Sequence, residues 1–180
     1  KKRIVFNFAP LNELIVDDTN DVPGIDDAYD CFKRSKATIY SKIDLANAYH
    51  QIPLREKDRP VCAFTCDKVQ YQFKRVPLGL KTVPSVFQRW VKTLLKDCAD
   101  FAVNHLDDII IYSKTVEEHV LHIRKVLDLL TSVNLTINEE KCHFFTTRLP
   151  VLGYILEVGG VKPDLKRIFN MPSWDRPNTR

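Results

Sequence analysis

The stretch FAVNHLDDIIIYS, residues 101–113, sets two adjacent carboxylates, Asp107 and Asp108, between two short apolar runs. The runs at 101–106 and 109–112 are too short for typical helices and predict two strands. The two acids then lie at the tip of a tight hairpin. Burying two like charges side by side is costly, and a bound divalent cation lowers that cost sharply. The stretch therefore predicts a hairpin that carries a metal site.

Composition is that of an ordinary globular domain. The chain has 180 residues, of which 44% are hydrophobic and 28% charged, and it contains no run of 18 apolar residues. We therefore expect a real core and no membrane span. The net charge of +4 leans mildly toward polyanionic partners. Five scattered cysteines indicate free thiols in a reducing compartment. The chain begins without Met and shows no signal peptide, which suggests a piece of a longer protein.

Alternating residues at 37–44 predict a strand that ends at Asp44 on its polar face. Two helices have clear boundaries: one begins near Pro84, and the other begins with a capping box formed by Thr115 and Glu118. Their predicted apolar stripes are Phe87, Trp90, Val91, Leu94 and Leu95 in the first, and Val116, Val120, Ile123, Leu127 and Leu130 in the second. The remaining predicted elements are a strand at 1–8, a loop at 9–24, a helix at 25–33, a hairpin of 61–65 with 69–75, and a strand pair of 149–157 with 161 onward.

In this order, helices alternate with hairpins. The pattern favours an α+β fold with an antiparallel sheet and helices packed on one face over a doubly wound parallel sheet. The other face is then open, and Asp44 can meet the hairpin tip there. Three carboxylates on one face would form an all-oxygen site suited to Mg²⁺ and to phosphoryl or nucleotidyl transfer with paired metals. The alternatives are a solvated turn for the acid pair and a strand-end cap for Asp44.

Four motifs occur in a fixed order: SKIDLANAYHQIPL (41–54), VPLGLKTVPSVFQRW (76–90), NHLDDIIIYSKTVEEHVLHIRKVL (104–127) and VLGYILEVGG (151–160). Together they resemble the reverse transcriptase of gypsy/Ty3-type long-terminal-repeat retrotransposons. The resemblance implies a right-hand polymerase palm with partial fingers, in a reverse transcriptase domain at 1–165. Within it, 1–36 and 53–80 are fingers-like, 37–52 and 81–148 form the palm, and 149–165 form a primer-grip-like hairpin; 166–180 begin the thumb or connector.

The resemblance also assigns roles to residues. Asp44, Asp107 and Asp108 match the catalytic acids that bind two Mg²⁺ ions, which Mn²⁺ can replace, and the Leu45 carbonyl matches a further ligand. Tyr49 matches an aromatic steric gate against the ribose 2′-hydroxyl, although a tyrosine here also suits a core. The other matched nucleotide-binding positions are Arg3, Asn47, Ala48, Gly79 and Gln88. Those near primer and template are His105, Leu152, Gly153 and Tyr154, and candidate phosphate contacts are Lys42, Lys74, Arg75, Arg89 and Lys92.

The resemblance implies RNA-directed DNA synthesis from deoxynucleoside triphosphates on a primed RNA or DNA template. It further implies a Pol polyprotein with RNase H and integrase, no membrane, and an intracellular location in the cytoplasmic virus-like particle of the element. Two alternatives stay open. A degraded or domesticated copy would bind nucleic acid without polymerising, which departures from the family at Asn7, Ala9 and His105 favour. An unrelated phosphotransferase or nucleotidyl cyclase would explain the acids alone.

Overall fold

The computed structural model describes residues 6–18 and 25–165 of the chain, and its centre is a four-stranded antiparallel sheet. The strands lie in the order β4-β5-β1-β6, with two smaller sheets, β2-β3 and β7-β8-β9, beside it. The elements are α1 (Ala9–Leu14), α2 (Ile25–Ser35), β1 (Ile39–Asp44), β2 (Phe64–Cys66), β3 (Val69–Tyr71), α3 (Val83–Leu94), β4 (Ala102–His105), β5 (Asp108–Ser113), α4 (Val116–Ser132), β6 (His143–Thr146), β7 (Arg148–Val151), β8 (Tyr154–Glu157) and β9 (Gly160–Pro163).

The central strands carry buried residues on both faces, and this corrects one expectation. Ile109 and Ile111 of β5 pack with α3 and α4, whereas Ile110 and Tyr112 lie on the opposite face. That second face is covered by α2 and by the hairpin of β7 and β8, so it is not left open. The α+β class and the antiparallel sheet are confirmed. The restriction of helices to one face is wrong because the run IIIY supplies apolar side chains to both sides.

Both predicted helices form, but their buried faces differ in part from the predicted stripes. In α3, Phe87 and Val91 are fully buried while Trp90 is partly exposed. In α4, the buried residues are His119, Ile123, Val126 and Leu130, and the predicted Val116 and Val120 are exposed. The Thr115 hydroxyl accepts a hydrogen bond from the Glu118 amide at 3.2 Å, which confirms the N-cap. The predicted stripe of α4 is wrong in part because the polar His119 belongs to the buried face of the helix.

Three local predictions also change, and one strand forms that the sequence did not predict. Residues 6–8 lie in no strand, and the rest of the predicted strand at 1–8 falls outside the described residues. The predicted loop at 9–24 contains α1, whose first turn carries Pro10, a residue favoured there. The strand at 149–157 is interrupted at Leu152 and Gly153, which both have positive φ angles and form a turn. Strand β6 was not predicted; it pairs with β1 at the sheet edge.

Three further predicted elements form with changed bounds. The hairpin closes around Asp67 and Lys68 but is limited to β2 and β3, because residues 61 and 62 end a 3₁₀ segment. The strand that ends at Asp44 begins two residues later than predicted, and α2 extends two residues past its predicted end. All five cysteines are free thiols. Among the described residues, none of the helices combines the length and the apolar character needed to cross a membrane.

A buried histidine joins three strands to α4. His119 is fully buried, and its Nε2 and Nδ1 lie 2.7 Å from the hydroxyls of Ser41 in β1 and Ser113 in β5. The Ser41 hydroxyl also accepts the Phe145 amide of β6 at 3.0 Å. Burial, followed by the nearby His122, lowers the His119 pKa from its usual 6.5 to about 4. The imidazole is therefore neutral in the folded chain at neutral pH.

This shift makes stability depend on pH. The unfolded chain takes up a proton at His119 as the pH falls below 6.5, whereas the folded chain does not until about pH 4. The contribution of His119 to the free energy of unfolding is therefore fully present above pH 6.5 and is lost as the pH falls toward 4. The slope of this loss approaches about 1.4 kcal/mol per pH unit. We expect His119→Gln to flatten the pH dependence of urea unfolding, while His143→Gln, at an exposed histidine, keeps it. An unchanged slope in His119→Gln would contradict the assignment.

Candidate active site

The three predicted acids lie together at one end of the β1–β5 pair. Asp44 is the last residue of β1 and stands directly opposite Asp108, the first residue of β5. Asp107 occupies the preceding turn, and its carbonyl accepts the Leu45 amide at 2.9 Å. Residues directly opposite in an antiparallel pair have Cβ atoms about 5 Å apart. The register of the two strands thus sets two carboxylates face to face, with the third beside them.

The acids differ in exposure, and two of them contact lysines. Asp44 is 7% exposed and Asp107 is solvent-exposed, with Asp108 between these extremes. The Lys42 Nζ lies 2.7 Å from Asp108 Oδ2, and the Lys141 Nζ lies 3.5 Å from Asp44 Oδ2. Burial raises the pKa of Asp108, while the hydrogen bond and the charge of Lys42 oppose the rise. The neighbouring charges of Asp107 and Asp44 add to the rise.

The donor chemistry of this corner suits a hard divalent cation. Carboxylate oxygens and a backbone carbonyl are the ligands that Mg²⁺ prefers. Two ammonium groups already lie against the acids, which shows that the corner attracts positive charge. Within residues 6–18 and 25–165, no three His, Cys, Asp or Glu side chains are gathered as a complete ligand set. The groups that could hold a cation here are the carboxylates of Asp44 and Asp107 and the Leu45 carbonyl, with Asp108 beside them.

The segment after β1 places Tyr49 near the acids. Asn47 has a φ of 47°, and this left-handed residue turns the chain into a 3₁₀ segment, Ala48–Gln51. The Tyr49 ring meets the Phe87 ring of α3 edge-on, with 5.5 Å between centroids. Burial and then the charge of Asp107 raise the pKa of Tyr49. Tyr49 is therefore partly a core residue, as its alternative interpretation predicted, and its hydroxyl also lies in the field of Asp107.

Gln51 fixes this segment, and it was not singled out from the sequence. Its Nε2 donates to the Ala46 carbonyl at 2.7 Å and to the Thr136 carbonyl at 2.9 Å. Its Oε1 accepts the Thr136 amide at 2.7 Å. The side chain thereby bridges the loop after Asp44 to the chain that follows α4. In the stretch YHQI, where the polar His50 precedes it, no local pattern distinguishes Gln51.

Gln88 supports the hairpin tip from α3. This side chain is 2% exposed, and its Oε1 accepts the Leu106 amide at 2.6 Å while its Nε2 donates to the Asn104 carbonyl at 2.8 Å. Leu106 has a φ of 54°, which is unfavourable for a residue with a side chain. The predicted nucleotide-binding glutamine therefore acts on the protein itself, because it holds the turn that contains Asp107.

Gly79 lies in a loop that α1 holds. Its φ is 103°, and a Cβ there would lie 3.4 Å from the Phe8 ring, so both conformation and space favour glycine. The Asn12 side chain of α1 donates to the Gly79 carbonyl at 2.8 Å and accepts the Lys81 amide at 2.9 Å. Arg3, a predicted nucleotide-binding residue, lies outside the described residues.

The predicted primer and template residues lie in two places, at the end of β4 and at the turn between β7 and β8. His105 ends β4 and pairs with Asp108 across the hairpin, one residue from the tip. Leu152 and Gly153 form the turn between β7 and β8. The Tyr154 ring packs 4.4 Å, between centroids, from Tyr29 of α2. Strands β7 and β8 cover the face of the central sheet on which Asp44 and Asp108 also lie, so this hairpin and the acids share one face.

Comparison with known proteins identifies the family. The model of the family "Reverse transcriptase (RNA-dependent DNA polymerase)" matches residues 1–156. The chain belongs to the reverse transcriptase family. It is 35% identical over 167 residues to the Retrovirus-related Pol polyprotein from transposon opus of Drosophila melanogaster, a match that covers 92% of this chain and 16% of the relative. It is 33% identical over 179 residues to the Transposon Tf2-3 polyprotein of Schizosaccharomyces pombe, covering 99% of this chain and 13% of the relative.

Solved structures agree on the fold of this reverse transcriptase domain. The foamy viral protease-reverse transcriptase dRH in complex with double-stranded DNA superimposes with a TM-score of 0.82 at 22% identity, over 96% of this chain and 30% of that one. The foamy viral protease-reverse transcriptase in complex with RNA/DNA hybrid gives a TM-score of 0.71 at 24% identity, over 80% of this chain and 20% of that one. The chain thus spans less than a fifth of the Pol relatives that it matches. None of these findings favours a degraded copy.

The contacts of Gln88 generate a stability prediction. We expect Gln88→Leu to lower the free energy of unfolding by about 2–4 kcal/mol, because the part-buried Leu106 amide and the buried Asn104 carbonyl both lose their partner. Urea unfolding followed by circular dichroism measures the change. The control Gln72→Leu removes an exposed glutamine and should change stability little. Equal effects of the two substitutions would refute the support that Gln88 gives to the tip.

Proposed function

We propose that this domain is the polymerase core of a retrotransposon reverse transcriptase, which copies a primed RNA or DNA template into DNA from deoxynucleoside triphosphates. The observation that carries the proposal is the β1–β5 register, which sets Asp44 against Asp108 with Asp107 in the adjoining turn. Membership in the reverse transcriptase family supports the same reading of these acids. Residues 37–52 and 81–148 form the palm in this proposal, 1–36 and 53–80 the fingers side, and 149–165 the hairpin that grips the primer.

Each acid has a distinct task in this proposal. Asp44 and Asp107, with the Leu45 carbonyl, would hold two Mg²⁺ ions, and the bound ions would supply activation of the primer 3′-hydroxyl and neutralisation of the triphosphate charge. Mn²⁺ can take their place. Asp108 contributes negative charge beside them. The protein itself positions the acids: Gln88 fixes the turn that carries Asp107, and the Leu45 amide donates to the Asp107 carbonyl.

The nucleotide and the primer approach from two sides. Tyr49, beside Asp107, limits the sugar to one without a 2′-hydroxyl, and the backbone of Asn47 and Ala48 approaches the triphosphate. Gly79 lets the loop lie close to the nucleotide, and Arg3 clamps the phosphates. His105, at the end of β4, and the turn of Leu152 and Gly153 with Tyr154 hold the primer end, since they share the face of the acids.

The relatives support a proposal for the polyprotein that contains this domain and for the nucleic acids that it binds. The matched relatives are polyproteins of transposons, and the matched solved structures hold an RNA/DNA hybrid or double-stranded DNA. We infer that this domain works within a Pol polyprotein that also carries RNase H and integrase. In this proposal the polyprotein acts inside the cytoplasmic virus-like particle of the element.

Primer extension tests the proposal directly. We expect a reverse transcriptase of the length of its Pol relatives, carrying this domain, to extend an oligo(dT) primer on poly(rA) with Mg²⁺. Asp107→Asn should lower incorporation by about a hundredfold or more, because charge stabilisation by a bound metal is worth several kcal/mol. Asp67→Asn, in the turn between β2 and β3, is the control and should keep activity. A protein that binds primer-template but never extends it would overturn the proposal.

The steric gate gives a second test. We expect Tyr49→Ala to lower the preference for deoxynucleotides over ribonucleotides by about tenfold or more, since a removed ring leaves room for the 2′-hydroxyl. Competing incorporation of dTTP and UTP on poly(rA) measures the preference. Tyr71→Ala, at an exposed tyrosine of β3, serves as the control. Unchanged discrimination in Tyr49→Ala would assign this tyrosine to the core alone.

A further inference from the structure

Lys42 is directed into the acid cluster. It lies two residues before Asp44 on the same face of β1, and in the β1–β5 register its partner is Ile110, two residues after Asp108. Its side chain is 20% exposed and that of Asp108 is 15% exposed, with 2.7 Å between Nζ and Oδ2. The ammonium therefore reaches diagonally across the two strands toward the carboxylate. This contact is more enclosed than the one between Lys141 and Asp44, where the lysine is 61% exposed.

The contact distinguishes the two adjacent acids. Asp107 and Asp108 are neighbours in sequence, yet the first is exposed in the turn while the second is enclosed beside Lys42. Like charges directly opposite in a sheet destabilise the pairing, and Asp44 faces Asp108 in this way. An ammonium at Oδ2 offsets that repulsion and withdraws the carboxylate from other cations. Asp107 thus stays available to a metal cation, while Asp108 stays paired with the Lys42 ammonium.

We propose that Lys42 is a positioning residue that holds Asp108 as a charge-paired carboxylate, so that metal binding falls to Asp44 and Asp107. The proposal deepens the proposed polymerase function and rests on it for the meaning of the metal site. The competing assignment is a contact from Lys42 to a backbone phosphate of the nucleic acid. The low exposure of Lys42 and its short contact with Asp108 favour the internal role.

A double-mutant cycle in the metal-free chain tests the pairing. The proteins are the chain itself, Lys42→Met, Asp108→Asn and the double variant, with thermal unfolding in EDTA as the readout. We expect Lys42→Met to lower the melting temperature by about 2–4 °C, the shift that a modest loss of stability gives at this chain length. In the Asp108→Asn background the same substitution should have little effect. Equal losses in both backgrounds would overturn the pairing.

Metal binding without turnover provides the second readout. We expect Lys42→Met to bind Mn²⁺ about fivefold more tightly or better, because one positive charge beside the acids is removed and Asp108 is released. The EPR signal of free Mn²⁺ measures the affinity. Lys42→Arg keeps the charge and should restore the affinity of the unchanged chain. Lys96→Met removes an exposed lysine and controls for the change in net charge.

The outcomes separate this inference from the proposed function. If Lys42→Met weakens the binding of a primer-template duplex in EDTA by the same factor with and without Asp108→Asn, Lys42 is a phosphate contact and the inference is wrong. Unchanged Mn²⁺ affinity in Lys42→Met also contradicts it. A third outcome is possible: the double-mutant cycle in EDTA shows that Lys42 and Asp108 are coupled, but the longer protein does not extend a primer. That outcome would support the pairing of Lys42 with Asp108 and reject the proposed polymerase function.

Discussion

The antiparallel pairing of β1 with β5 is the constraint on which the site depends. Six successive residue pairs, from Ile39 with Ser113 to Asp44 with Asp108, hold the two strands in one register. A slip by one residue would turn Lys42 and Asp44 of β1 toward the core beside α3 and α4, where Ile43 is fully buried, because side chains alternate along a strand. The alternation of apolar and polar residues in β1 therefore fixes the position of the acids at the strand ends. The core determines where the charge lies.

Contacts from α3 hold the unfavourable backbone conformation at the hairpin tip. Leu106 adopts a positive φ that glycine would adopt more easily, and residues of this kind persist only where surrounding contacts determine them. Gln88 supplies those contacts from α3, and α3 is anchored by the fully buried Phe87 and Val91. The position of Asp107 thus depends on the packing of a helix that precedes it in sequence.

The sequence predicted the hairpin, the strand ending at Asp44 and both long helices, because each follows from local periodicity or turn chemistry. The meeting of the three acids was predicted on a sheet face expected to be open and from the family resemblance, and the residues come together although that face is covered. Prediction from the sequence failed where contacts between distant parts of the chain determine the structure. The stripe of α4 was misplaced because His119, a polar residue, is buried between two serines. Strand β6 forms only because β1 offers it an edge. Gln51 and Gln88 bind backbone groups that are distant in sequence, and neither periodicity nor composition indicates such partners.

The same reasoning explains how the site is stable before any ligand arrives. Three carboxylates at one corner would repel each other, and Asp44 and Asp108 are removed from much of the solvent that would screen them. Lys42 and Lys141 reduce that repulsion, each by contact with a different acid. The more exposed lysine can move away at low cost, whereas the enclosed one loses a short contact if it moves. The corner is therefore asymmetric: Lys141 yields Asp44 to an incoming cation more readily than Lys42 yields Asp108.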